Sequence, residues 1–146
     1  MIKRREFIAG LGTAAVWPLS ARAQQPARMR RIGVLMPFDE TDPEGKARLS
    51  AFTRALSELG WTDGSNARMD VRWTAASNVD RVRMFAKELV DLQPDVIVTN
   101  TTPITGAFQR ETQTIPIIFA GLSDPVGAGF VASLPRPGGN LSGFIN

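Results

Sequence analysis

The chain has 146 residues, 43% of them hydrophobic and 21% charged, enough for one domain with a real core. Seventeen Lys and Arg against 14 Asp and Glu give a net charge of +3. Lys3, Arg4, Arg5 and Arg22 against Glu6 account for that surplus, so the remaining 13 basic and 13 acidic residues cancel, and no basic patch for nucleic acid is expected. With no Cys and no His, the chain has no disulfide, lipid-anchored Cys, thiolate or imidazole metal ligand, or Cys or His catalysis.

Residues 1–23 read as an export signal. Lys3-Arg4-Arg5 precedes a mildly apolar run from Phe7 to Leu19, and Ala21-Arg22-Ala23 fits the small-x-small cleavage pattern. The run is short and rich in Gly and Ala for a membrane span. Arg4-Arg5 followed by Glu6-Phe7-Ile8 resembles the twin-arginine signal, with Lys3 where Ser or Thr is usual. Cleavage after Ala23 would leave a periplasmic chain with no membrane attachment.

After a polar lead-in from Gln24 to Arg30, the run Ile32-Gly33-Val34-Leu35-Met36 predicts a first strand. Asp42-Pro43 then signals a helix start, because Asp accepts free N–H groups and Pro has none to leave unpaired. Leu49, Phe52, Leu56 and Leu59, with Ala55, recur at helical spacing, and Gly60 fits the residue that ends this helix. From Asn66 to Trp73, Met69, Val71 and Trp73 alternate with Asp70 and Arg72, which predicts a half-exposed strand near an edge. A second helix runs from about Asn78 to Leu92, with Val79, Val82, Phe85, Ala86, Leu89 and Val90 facing inward, and Pro94 stops it.

Two short β-branched runs follow: Val96-Ile97-Val98, then Ile115 with Ile117-Ile118-Phe119. Each is too short for a helix with a buried face and reads as a strand covered on both sides, the pattern of a parallel sheet. Thr102-Pro103 after the first and Asp124-Pro125 after the second repeat the helix-start signal. The predicted helices end near Thr112 and before Pro135, the latter weakened by Gly127 and Gly129. A loop from Pro135 to Asn140 leads to a fifth strand, Leu141 to Ile145. The order predicts an α/β fold, a doubly wound parallel five-stranded sheet of flavodoxin-like order 2-1-3-4-5. In such a sheet the turns gather at the carboxyl edge, where ligands bind.

The run Asp124 to Asn140, DPVGAGFVASLPRPGGN, with Leu141-Ser142-Gly143, closely resembles a signature of ABC transporter substrate-binding proteins of the type I periplasmic-binding fold, in their tryptophan/tyrosine-type branch. Leu59-Gly60-Trp61, Gly64-Ser65-Asn66, Val71 to Ala75, Pro94 to Val98 and Ile115 to Phe119 also fit. Thr101 stands where this family usually has Gly before Thr/Ser-Pro. The resemblance implies an N-terminal lobe at 24–146, with the second lobe of family members absent. It implies no chemistry and no cofactor or metal. The partners would be a small-molecule ligand, an amino acid or similar, and an ABC permease when a second lobe is present.

Binding residues implied by the matching turns are Phe38 and Asp39 after strand one, Asn100, Thr101 and Thr102 after strand three, and Ser123 and Asp124 after strand four. Hydroxyls and helix N–H groups suit a carboxylate, an acidic side chain suits an ammonium, and Phe38 suits an apolar face. Gly127-Ala128-Gly129 lacks the rest of a dinucleotide fingerprint. Asp39-Glu40 resembles the acidic pair of a receiver domain, but the third strand ends in Asn and Thr where a receiver has its phospho-acceptor Asp. An exported small α/β enzyme and a ligand-sensing receptor domain are the alternatives; a nucleophile–base pairing would favour the first, a retained N-terminal anchor the second.

Overall fold

Strong alternation along the first strand divides the molecule. The computed structural model describes residues 28–145; the predicted export signal lies outside them. In chain order the elements are β1 (Arg30–Met36), α1 (Pro43–Glu58), β2 (Ala67–Trp73), α2 (Val79–Asp91), β3 (Val96–Thr99), α3 (Thr102–Glu111), β4 (Ile117–Leu122) and β5 (Leu141–Ile145). Ile32, Val34 and Met36 of β1, with Val96 and Val98 of β3, pack against Leu49, Phe52 and Leu56 of α1. Leu35, Ile97, Ile117, Phe119 and Leu141 face the other way, against Val82, Ala86 and Leu89 of α2 and Ile104, Ala107 and Phe108 of α3. One helix therefore lies on one face and two on the other, as the side-chain period of two requires.

The strands run parallel in the order β2-β1-β3-β4-β5, as the sequence predicts. Asp42 caps α1, accepting the N–H groups of Glu44 and Gly45 at 2.8 and 3.0 Å. Gly60, at φ +89°, ends it, with Gly60 N–H bonded to the Ser57 carbonyl and Trp61 N–H to that of Leu56. Two residues expected on the buried side of α1 are not there: Leu59, at the C-cap, is 76% exposed, and Ala55 is exposed. Val79, expected inward, is 52% exposed at the first position of α2. On β2, Asp70 is buried rather than solvated, because Arg31 and Arg68 pair with it at 3.0 and 3.4 Å.

The predicted fourth helix does not form. Asp124 to Phe130 is one closed turn, with Ala128 N–H on the Asp124 carbonyl at 3.0 Å and Phe130 N–H on that of Pro125 at 2.9 Å. Gly129 leaves it at φ +76°, a left-handed conformation that no helix continues. Each Gly also costs a helix about 1 kcal/mol against Ala, so the Pro start has nothing to propagate.

At the amino end of the sheet, Asp95 ties β1 to β3. Its Oδ2 accepts Arg31 N–H at 2.8 Å and its Oδ1 takes the Arg30 guanidinium at 3.1 Å. The Arg31 N–H, then the Arg30 and Arg28 charges, hold this carboxyl below its ordinary pKa against the opposing effect of burial.

Candidate functional site

Strands β1, β3 and β4 are neighbours, so the turns that follow them meet at one edge. Five of the seven predicted binding residues, Asn100, Thr101, Thr102, Ser123 and Asp124, follow the adjacent strands β3 and β4. Phe38 and Asp39 follow β1 on the other side of β3. The amino end carries the Asp95 ion pairs, so the polar groups of this edge are free of that task.

The turn after β3 differs from the other helix starts. Thr101, not Thr102, occupies the cap position, and its hydroxyl makes no capping bond. Pro103 brings no N–H to the first turn. Directly beneath, Thr105 is fully buried; its hydroxyl donates to the Thr101 carbonyl at 2.8 Å and lies 2.8 Å from that of Thr99, itself 1% exposed. Above this pair, Asn100 Oδ1 and Thr101 Oγ1 are buried with no hydrogen-bond partner among the described residues. Buried polar atoms without partners cost about 1–3 kcal/mol each, so these two adjacent oxygens call for a partner that the described residues do not supply.

Asn100 also borders an apolar cavity of about 170 Å³, walled by Val34, Met36, Leu49, Phe52, Val98 and Ala120, with Arg48 at its rim. Phe38 is half-buried and packs on the α1 side: a methyl added at Gly45 would lie 2.8 Å from Phe38 Cβ, and the Arg48 guanidinium sits 5.4 Å from the ring centre. Asp39 is exposed, and its carbonyl accepts Asp42 N–H at 2.9 Å. It borders a separate concavity toward β2 and α2, with Arg72, Trp73 and Arg81. Ser123 and Asp124 are exposed, and Asp124 Oδ1 accepts Gly127 N–H at 2.7 Å, so this carboxylate is engaged in its own turn.

The sequence reading missed Thr99, Thr105 and Arg48. A Thr four residues after another, inside a helix, often bonds back to the carbonyl of that earlier residue, and that spacing was the available signal for Thr105. Among the described residues no cluster of His, Cys, Asp or Glu could hold a metal ion, and no helix is long and apolar enough to cross a membrane.

Residues 32–146 match the family model described as ABC transporter substrate binding protein. Over 92 residues the chain is 38% identical to a tyrosine-binding protein of Clostridioides difficile strain R20291, an alignment covering 63% of this chain and 26% of that protein. The ligand-free, open structure of a substrate-binding protein with adhesive properties from Clostridium difficile superposes with a TM-score of 0.71 at 31% identity, covering 80% of this chain and 39% of that one. A conserved domain protein from Vibrio cholerae gives 0.73 at 30% identity, covering 82% and 39%. An ABC domain in complex with L-Trp from Streptococcus pneumonia gives 0.70 at 29% identity, covering 80% and 38%. This chain thus spans about a quarter of the curated relative and about two fifths of the solved ones.

Proposed function

The chain belongs to the ABC transporter substrate-binding protein family, and from that premise we propose that it is one lobe of an exported solute receptor that holds an amino acid at the carboxyl edge of its sheet. The observation that carries the reading is the pair of unpartnered buried oxygens, Asn100 Oδ1 and Thr101 Oγ1, beside an uncapped helix start. Acceptor oxygens suit an ammonium, and the partial positive charge and free N–H groups of the α3 start suit a carboxylate. A zwitterion offers both. The names of a tyrosine-binding relative and of a neighbour solved with L-Trp support an aromatic amino acid as the first to try. The apolar cavity beside Asn100 and the ring of Phe38 are the surfaces an aromatic side chain would seek.

In this reading residues 1–23 direct export by the twin-arginine route, and residues 24–146 form the N-terminal lobe. A second lobe closes over the ligand, and the closed pair docks on an ABC permease. The residues assigned to the ligand are Thr101, Asn100, Thr102 and Ser123, with Phe38 and Asp39 at the margin and Asp124 shaping the turn. One lobe supplies half the walls, so this chain alone binds weakly.

The test is a titration of the ¹⁵N-labelled chain with L-Trp, L-Tyr and, as controls, D-Trp and indole. Saturable shifts are expected for the L-amino acids at the amides of Asn100 to Ile104 and of Ser123 and Asp124. Shifts confined to other surfaces, or none that saturate, would refute the assignment. Tight binding by this chain alone would remove the need for a second lobe.

A further inference from the structure

Two of the three helix starts, and the closed turn at Asp124, use the first residue's side chain on their own backbone. Asp42 accepts two N–H groups, Asn78 accepts that of Arg81 at 3.2 Å, and Asp124 accepts that of Gly127. Thr101 is the exception, although its backbone is extended (φ −139°, ψ 151°), the broad region from which cap residues act. The difference lies one helical turn onward. A hydroxyl has one proton, and Thr105 donates its own to the Thr101 carbonyl. The 2.8 Å contact between Thr99 and Thr105 therefore has Thr99 as donor. The relay runs from the Thr99 hydroxyl to Thr105 and on to the Thr101 carbonyl. It fastens the last residue of β3 and the cap residue of α3 to one buried group, and Asn100 is held between the two ties.

We propose that Thr105 is a positioning residue for the ligand: its relay holds the turn so that the Thr101 hydroxyl is withheld from its own helix and, with Asn100 Oδ1, kept for a bound molecule. This rests on the binding reading above. Valine at 105 keeps the shape and removes both hydroxyl ties, while the helix bond from Thr105 N–H to the Thr101 carbonyl at 2.9 Å remains. The Thr101 hydroxyl can then turn onto the first-turn N–H groups and close the site from within. The loss of two hydrogen bonds that order the turn weakens binding by roughly tenfold. Serine restores both bonds.

The experiment compares wild type, Thr105→Val, Thr105→Ala, Thr105→Ser and Phe108→Leu by the same L-Trp and L-Tyr titration, at a temperature where each is folded. Phe108 is buried on the same helix and outside the relay, so its variant reports the effect of lost stability alone. Thr105→Val and Thr105→Ala are expected to bind about tenfold more weakly, with Thr105→Ser and Phe108→Leu within about threefold of wild type. Thr105→Val or Thr105→Ala binding as wild type does would overturn the positioning role and leave the binding reading standing. So would equal weakening in Phe108→Leu. A wild-type chain that shows no saturable shifts overturns the binding reading, and this role with it.

Discussion

Replacing Gly45 by Ala sets two effects of similar size against each other, and the structure decides the sign. Gly45 is buried at the third position of α1, where Ala is intrinsically favoured by up to about 1 kcal/mol. The new methyl would lie 2.8 Å from Phe38 Cβ, 3.0 Å from Phe38 Cγ and 3.0 Å from Trp73 Cζ3. A Cβ cannot rotate away, because it moves only with its backbone. The ring of Trp73 is held in the cluster beneath α1. Forcing a methyl into such a contact costs about 1–3 kcal/mol. The net expectation is a loss of about 1 kcal/mol, or a fall of about 4 °C in Tm for a domain of this size. Urea unfolding followed by Trp fluorescence measures it, and amide shifts at Phe38 and Asp39 show whether the displaced ring carries the turn with it. A gain in stability would mean that Phe38 yields freely, and the rigid seat inferred here for that turn would be wrong.

Asp42→Ala removes the acceptor for two N–H groups of α1 and should cost about 1 kcal/mol in the same assay. A loss below about 0.3 kcal/mol would show the cap to be replaced by water. Asp95→Asn tests the opposite edge. Its folded carboxyl titrates below its unfolded value, so its stabilisation is full above the unfolded pKa of about 3.9 and is lost as pH falls through the lower folded value. Wild-type stability should decline below about pH 4, and the Asn variant should be less stable at pH 7 with a shallower decline over that window. Parallel pH profiles for the two proteins would refute the role.

The topology was legible because β-branched runs of four to six residues, each bounded by Pro and a polar turn, leave few arrangements in which both faces are covered. Strand order followed from right-handed crossovers. The fourth helix was misread because Asp124-Pro125 is a true start signal: Asp124 does cap, but a cap nucleates one turn and cannot carry two Gly residues through the next. Burial of Asp70 was invisible for a different reason. Its alternation with Met69 and Val71 says which face it shares, not that Arg31, 39 residues earlier on the neighbouring β1, reaches it from two positions before its register partner Gly33. The same holds for the site. The turn residues could be placed at the carboxyl edge from spacing, but which of their oxygens find partners depends on Thr105 and Asp124, side chains from beyond the strands.

If the proposed site is right, the two ends of the sheet divide stability from recognition. At the amino end, Arg30 and Arg31 open β1 beside Asp95 and Asp70, so every carboxylate there faces a guanidinium or a backbone N–H. These contacts pin β1 to both neighbours without drawing on any group at the far end. At the carboxyl end the buried side-chain ties in the turn after β3 are the neutral hydroxyls of Thr99 and Thr105, which add to the Thr105 N–H bond on the Thr101 carbonyl and order the backbone without neutralising a charge. A charged clamp in their place would hold the turn as well, but it would also attract or repel the zwitterion proposed to bind there. Neutral ties leave the field of the helix start as the local bias toward a carboxylate. If the proposed amino-acid site is right, Thr105→Asp should weaken binding in the L-Trp and L-Tyr titration beyond its cost in stability, because a buried, uncompensated charge beside the α3 start would compete with a carboxylate for those N–H groups; binding equal to that of Thr105→Val would refute this.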